Sequence, residues 1–347
     1  MTKRTSATLL AGAACLIALL GYSASLVVPR PADGHTGAYV VGAWNLEHFR
    51  EGTVRGFPEN TRGGPSYPPR TDEDYNAIAS MISRIEARIL VLEEINAHTE
   101  DIGGKPVTRS KELDRLIRVL GPERYDYVVG ATGGAEHIAI LYDKRDVRLN
   151  ETCECEFPDE LKVENKAVFD REPLLAHFTF LSDGRPMNDL TVVGVHLASG
   201  QQLTKNHDEA MRLLQEELKK ARQESHCIPS DENDILIAGD FNTGRFDKKV
   251  ESFWDQMERE GWDVLGDDPA SYPVTRLSGV PLKLRDSRID YLIISKENQG
   301  LAGEEVETEA PVVHNELVGD SPEDYRRHAS DHLPITVEIR VLEDTDR

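Results

Sequence analysis

Three short strings in the second half of the chain carry residue types that chemistry uses. They are Ala238-Gly239-Asp240-Phe241-Asn242, Ile289-Asp290-Tyr291 and Ala329-Ser330-Asp331-His332-Leu333-Pro334. Each sets acid, amide or imidazole groups at the end of an apolar run, where a strand delivers them to one rim of a sheet. Hard oxygen ligands beside a titratable imidazole are the equipment for metal-assisted attack of water on a phosphate. One such string alone is weak evidence; their order, joined to strings upstream, is strong.

Upstream, Trp44-Asn45-Leu46-Glu47 closes one apolar run and Glu93-Glu94 another, and Val195-His196-Leu197-Ala198-Ser199 sets an imidazole at the end of a third. Singly, each has a bland reading: an Asn capping a turn, a surface Glu, a structural His. Jointly they make a site.

The elements that must position these groups follow from periodicity. Strand-length apolar runs occur at Ala38 to Trp44, Ile89 to Leu92, Tyr125 to Val129, Ile138 to Tyr142, Leu174 to Leu181, Leu190 to His196, Ile235 to Ala238, Ile289 to Ile294 and Ile335 to Val341. Helical spacing marks Asp72 to Arg84 and His207 to Glu224. Many strands with few helices exclude a bundle, and the lack of strict strand–helix alternation argues against a doubly wound sheet. The expected fold is α/β, two packed sheets with helices on the outer faces, in one domain over 38–347.

Lys3 and Arg4 precede an uncharged stretch from Thr5 to Val28, whose apolar heart at Leu9 to Leu20 is followed by the small residues Ser23, Ala24 and Ser25. That is the pattern of a secretory signal, and Ala7 to Val28 also reaches the roughly 20 residues of a membrane anchor. Residues 1–30 are thus expected to be a signal peptide or N-terminal anchor, 31–37 a tether, and the protein exported. The net charge of −22 repels polyanions over long range, so a nucleic-acid or phospholipid substrate needs divalent cations and a locally basic mouth. Arg50, Arg55, Arg62 and Arg70 in a Gly- and Pro-rich loop are candidates for that mouth, as are Arg285, Arg288, Arg326 and Arg327. With Cys15 in the leader, Cys153, Cys155 and Cys227 remain, so at most one intramolecular disulfide forms. A local staple between Cys153 and Cys155, or unpaired thiols, is the expectation.

In order and spacing, the strings at Asn45, Glu94, His196, Asp240-x-Asn242, Asp290 and Ser330-Asp331-His332 resemble those of the endonuclease/exonuclease/phosphatase superfamily. The resemblance implies a four-layer α/β sandwich, two mixed sheets packed face to face with helices outside. It implies that Glu94 is the principal Mg²⁺-binding carboxylate, with Asn45 and Asp331 as companions; oxygen-only ligation favours Mg²⁺, Mn²⁺ or Ca²⁺ over zinc. Asp240 and Asn242 then orient the attacking water and hold a phosphate oxygen. His332 is the catalytic imidazole, its tautomer fixed by Asp290, expected to titrate near neutrality. His196 is the second imidazole.

A closer likeness is to the secreted pancreatic-type deoxyribonucleases. Phe169-Asp170-Arg171-Glu172-Pro173 resembles their Arg-Glu-Pro string, which makes Arg171 a phosphate clamp, and Glu136 falls where they keep a carboxylate partner for the second histidine. Glu93 stands where Gln is commoner and adds a negative charge beside Glu94. The expected activity is that of an exported Mg²⁺-dependent phosphodiesterase acting on DNA or RNA, with no protein partner implied. The alternatives are a sphingomyelinase-like phospholipid phosphodiesterase or an inositol or sugar phosphatase. A phospholipid substrate calls for an exposed aromatic hairpin, whereas Phe253, Trp254 and Trp262 read as core.

Overall fold

The computed structural model describes residues 37–50, 70–134, 136–157, 162–163, 166–199, 204–243, 251–266, 274–278, 283–284, 288–295 and 306–341. The leader and tether up to residue 36, the rest of the arginine-bearing loop (51–69) and Arg285 lie outside them. No described helix is long and apolar enough to cross a membrane.

Among the described residues the first sheet has seven strands, one of them the two-residue Val312–Val313 at its flank. At its centre β1 (Gly37–Phe49) runs parallel to β2 (Ile89–Ile95), which continues through β4 (His137–Asp143) to β3 (Tyr125–Val129). The second sheet has six strands. Its members in spatial order are β9 (Trp262–Val264), β10 (Asp290–Ser295), β8 (Ile235–Asp240), β7 (Arg185–His196), β6 (Leu174–Ser182) and β5 (Val147–Glu154). On the other flank of β1 the first sheet adds β12 (Ile335–Val341) and then β11 (Val306–Thr308). The parallel pairs, β1–β2 and β7–β8, are each joined by a long helix, α1 (Asp72–Ile85) and α3 (Thr204–Glu224), with α2 (Lys111–Leu120) falling between β2 and β3; a parallel pair requires such a crossover.

The sheets pack face to face around one apolar core, with helices on the outer faces, as a four-layer sandwich. Strands buried on both faces read as unbroken apolar runs, which is why Ile235 to Ala238 and Ile89 to Leu92 stand out in the sequence. Helix α1 starts at a capping box: Thr71 Oγ1 accepts from the Asp74 amide while the Asp74 carboxylate accepts from the Thr71 amide at 2.6 Å. It buries Tyr75, Ile78 and Ile82, and the Tyr75 ring meets Phe49 edge-on. Trp254 and Trp262 are core residues.

One cysteine expectation is corrected. The disulfide joins Cys153 to Cys227 across 74 residues, and Cys155 is the free, buried thiol. Cys153 lies in the edge strand β5 and Cys155 just beyond its end, so the bridge ties the edge strand to the segment after α3.

Candidate active site

Strand register builds the site. In the second sheet His196 pairs with Asp240, and Asp240 with Asp290, so three functional side chains sit in a row at the ends of β7 and β8 and the start of β10. In the first sheet Asn45 pairs with Glu93 at the same rim. The turn before β12 is sewn onto β1. Ser330 donates its hydroxyl to the Asn45 carbonyl at 2.6 Å and accepts from the His332 amide at 3.0 Å. Trp44 Nε1 and the Tyr325 hydroxyl both donate to the His332 carbonyl, at 3.1 and 2.7 Å. That explains the string Ser330-Asp331-His332: the serine fixes the turn and the next two residues face the rim.

Asn45, Glu94, Glu136, Arg171, His196, Asp240, Asn242, Asp290, Asp331 and His332 are all among the described residues and reach this region, though not always in the expected pairing. His332 Nδ1 lies 3.0 Å from each oxygen of Asp290. Its Nε2 is 3.8 Å from Asp240 Oδ2 and 3.7 Å from Asp331 Oδ1. His196 Nε2 stands 3.8 Å from the same Asp240 oxygen. These gaps exceed hydrogen-bond length, so the two imidazole nitrogens and Asp240 surround a space that a water or phosphate oxygen can enter. Asn45 Nδ2 donates to Glu94 Oε1 at 3.1 Å and Asp240 Oδ2 at 3.2 Å, drawing two carboxylates onto one amide. Asn242 closes the β8 turn: its amide donates to Asp240 Oδ1 and its side chain to the Leu197 carbonyl, both at 2.8 Å.

One expected partnership differs. Glu136 does not hold His196; its Oε2 accepts from Arg171 Nη2 at 2.7 Å, and its Oε1 lies 3.5 Å from His48 Nδ1. His196 Nδ1 has no hydrogen-bond partner among the described residues, nor do Nε and Nη1 of buried Arg171. Asp331 takes its hydrogen bond from Arg276 Nε at 3.0 Å. Of the arginines expected at the mouth, Arg326 is turned inward and grips Glu47 in a two-oxygen fork, while exposed Arg327 leans toward Asp324.

Burial sets the protonation states. Desolvation opposes charge on His332, yet Asp290, Asp240 and Asp331 together raise it to about 10. It is therefore an imidazolium at neutral pH, not the near-neutral titrating group that one Asp partner implies. Burial and then Asp290 raise Asp240 to about 7. His196 is driven well below the usual imidazole range by burial, with Arg171 and His332 adding to it, and is neutral. Glu93 turns inward between the sheets, fully buried, and burial with Asp290 and Asp240 nearby pushes it well above the carboxylate range. The extra charge expected beside Glu94 is thus suppressed.

The sequence reading missed His48, Arg276 and the grip of Arg326 on Glu47. His48 directly follows the Trp44-Asn45-Leu46-Glu47 string, and a His next to an acid at a strand end was the available signal. Arg276 follows no apolar run and had none. Glu47, His48, Glu94 and Asn242 all have positive φ (44°, 53°, 60° and 48°), a concentration of unfavourable backbone at one rim.

The donor set suits a divalent cation. Glu94 Oε1 and Asp240 Oδ2 converge on a single amide nitrogen, and Asp331 and Glu47 add carboxylates beside them, so the rim carries a surplus of oxygen donors. Hard oxygen ligands of this kind match Mg²⁺, Mn²⁺ or Ca²⁺.

No family model matches this sequence, and no curated protein matches it. Solved structures do. An endonuclease/exonuclease/phosphatase family protein from Bacteroides thetaiotaomicron is 18% identical with a TM-score of 0.56, covering 88% of this chain and 98% of its own. A mannosyl-6-phosphatase from the same species is 16% identical with a TM-score of 0.56, over 87% and 99%. D. rerio TDP2, solved with a single-strand DNA product, is 16% identical with a TM-score of 0.58, over 87% and 98%. The fold is the one shared by these proteins, and at such identities the fold is what the likeness conveys.

Proposed function

We propose that the protein is a divalent-metal-dependent phosphoester hydrolase, and within that class an exported phosphodiesterase that cuts DNA or RNA. The observation that carries this reading is the convergence of His332, His196 and Asp240 on one space at the rim, with Asp290 behind His332 and Glu94 and Asn45 beside it. Glu94, with Asn45 and Asp331, would hold the cation, which supplies Lewis-acid polarisation of the phosphate.

The chain's own groups supply the rest. Asp240, raised to about 7 by burial and Asp290, has the basicity to take a proton from water at neutral pH. His332, an imidazolium held by Asp290, donates from Nε2 to a phosphate oxygen and opposes the charge that develops there. His196 is neutral, so its Nε2 orients rather than neutralises. Arg171 offers Nε and Nη1, donors without a partner among the described residues, and a buried guanidinium in that state is stabilised by an anion.

Nucleic acid is favoured by Arg171 and by the string around it that resembles the secreted deoxyribonucleases; TDP2, a fold neighbour, was solved with a DNA product. A phosphosugar is the second reading, because another neighbour is a mannosyl-6-phosphatase. The phospholipid reading draws no support from Trp254 and Trp262, which are buried.

The test is hydrolysis by the full chain with Mg²⁺ and with EDTA, on plasmid DNA, RNA, sphingomyelin, an inositol phosphate and a sugar phosphate, with His332→Ala as control. Plasmid nicking that needs both Mg²⁺ and His332 supports the nuclease. Turnover of a small phosphate ester with intact plasmid moves the substrate to the second reading. Activity retained by His332→Ala would overturn the assignment altogether.

A further inference from the structure

We infer that His48, Glu94 and Glu136 form a second cation site, with an imidazole nitrogen and two carboxylate oxygens, suited to a first-row transition metal of the Zn²⁺ or Co²⁺ kind. The three donor atoms lie within 4.8 Å of one another. His48 Nδ1 is 3.3 Å from Glu94 Oε2 and 3.5 Å from Glu136 Oε1. An imidazolium bonded to a carboxylate closes to about 2.7–2.9 Å. Two donors about 2.1 Å from one ion at a tetrahedral angle stand about 3.4 Å apart. Both spacings fit the edges of a coordination polyhedron and are too long for ion-pair hydrogen bonds.

Each carboxylate is also anchored so that one oxygen is left to the site. Glu94 Oε1 accepts from Asn45, and Glu136 Oε2 accepts from Arg171. The oxygens that remain, Glu94 Oε2 and Glu136 Oε1, are the ones turned to His48 Nδ1. The His48 amide also donates to Glu94 Oε2 at 2.8 Å, which fixes that oxygen in place. Outer partners that orient ligands in this way are what a functional metal site has. The side chains are 16–20% exposed, so the site opens to the cleft and keeps room for water or a phosphate oxygen as a further ligand. The nitrogen donor distinguishes it chemically from the hard-oxygen set at Glu94, Asn45 and Asp331: imidazole favours Zn²⁺ or Co²⁺ over Mg²⁺ and Ca²⁺. Glu94, with one oxygen on each side, joins the two.

The site deepens the phosphoester reading through the shared Glu94, but its test does not depend on turnover. The full chain, stripped of metal, is titrated with Co²⁺, reading the visible absorption and the Co²⁺ retained at equilibrium dialysis. His48→Ala is expected to bind one equivalent less than the native chain, and Glu136→Gln to lose at least the roughly tenfold in affinity that even outer partners contribute. Equal Co²⁺ binding by native chain and both variants would overturn the site, as would no saturable binding by the native chain. A thermal melt identifies a variant that fails to fold; the other then decides. His332→Ala removes none of these donors and should keep Co²⁺ binding while losing hydrolysis. If it instead keeps hydrolysis, the phosphoester reading fails and the Co²⁺ result stands alone.

Discussion

Both carboxylate oxygens of Asp290 stand 3.0 Å from Nδ1 of His332, the strand β10 meeting the turn before β12. This pairing fixes which ring nitrogen faces the cleft and, with Asp240 and Asp331, holds the imidazole charged. Asp290→Asn keeps the shape and removes the charge. We expect it to lower Mg²⁺-dependent turnover by roughly 10²–10⁴-fold, the range of one acid–base group, while the chain still folds. Turnover equal to that of the native chain would show that Asp290 does not act through His332.

Arg171 is buried, bonded through one nitrogen to Glu136, with two donors lacking partners among the described residues. If those donors receive a substrate phosphate, Arg171→Lys removes the planar fork but keeps a charge near Glu136. Inhibition by inorganic phosphate should weaken by about tenfold, the size of one charge-assisted hydrogen bond of roughly 1.5–3 kcal/mol. An unchanged inhibition constant would assign Arg171 to holding Glu136 alone.

What could be read from the chain was what is local. The helical spacing over Asp72 to Arg84, the apolar runs and the polar groups ending them are local features, and the structure has them where the pattern puts them. What could not be read depends on partners far apart in sequence. Nothing near Glu136 says that it meets Arg171, 35 residues on, rather than His196. The charge on His332 comes from three acids brought together by strand register, so the string around it understated its basicity. Cys153 chose Cys227 over a cysteine two residues away because the edge strand passes the end of α3.

Gly239 precedes Asp240 at φ +143°, and a Cβ there would stand 2.0 Å from the Val195 carbonyl and 2.8 Å from Glu93 Oε1. Both obstacles are fixed, one being backbone of the neighbouring strand β7. Gly239→Ala must therefore part β7 from β8 where they carry His196 and Asp240. Overpacking of this kind costs about 1–3 kcal/mol. Assayed well below its melting temperature, the variant is expected to lose more activity than its unfolded fraction accounts for. Loss in strict proportion to unfolding would mean that the two side chains keep their spacing.

Glu93 gives the prediction with the least intuitive sign. Its carboxyl is fully buried, both oxygens lack hydrogen-bond partners among the described residues, and burial with Asp290 and Asp240 raises it well above 4.5. The unfolded chain releases this proton at a lower pH than the folded one does. The group therefore costs no stability below the unfolded value, and its cost grows as pH rises from there toward the folded value. Glu93→Gln removes that titration with almost no change in shape. The melting temperatures of variant and native chain should stay at a constant offset below about pH 4.5, then move in the variant's favour as pH increases. Metal dependence of turnover should be unaltered, because the side chain points between the sheets and Glu94, not Glu93, faces the rim. A gap that moves the other way with pH would mean that Glu93 is ionised and paired in the folded protein, and so contributes its charge to the site after all.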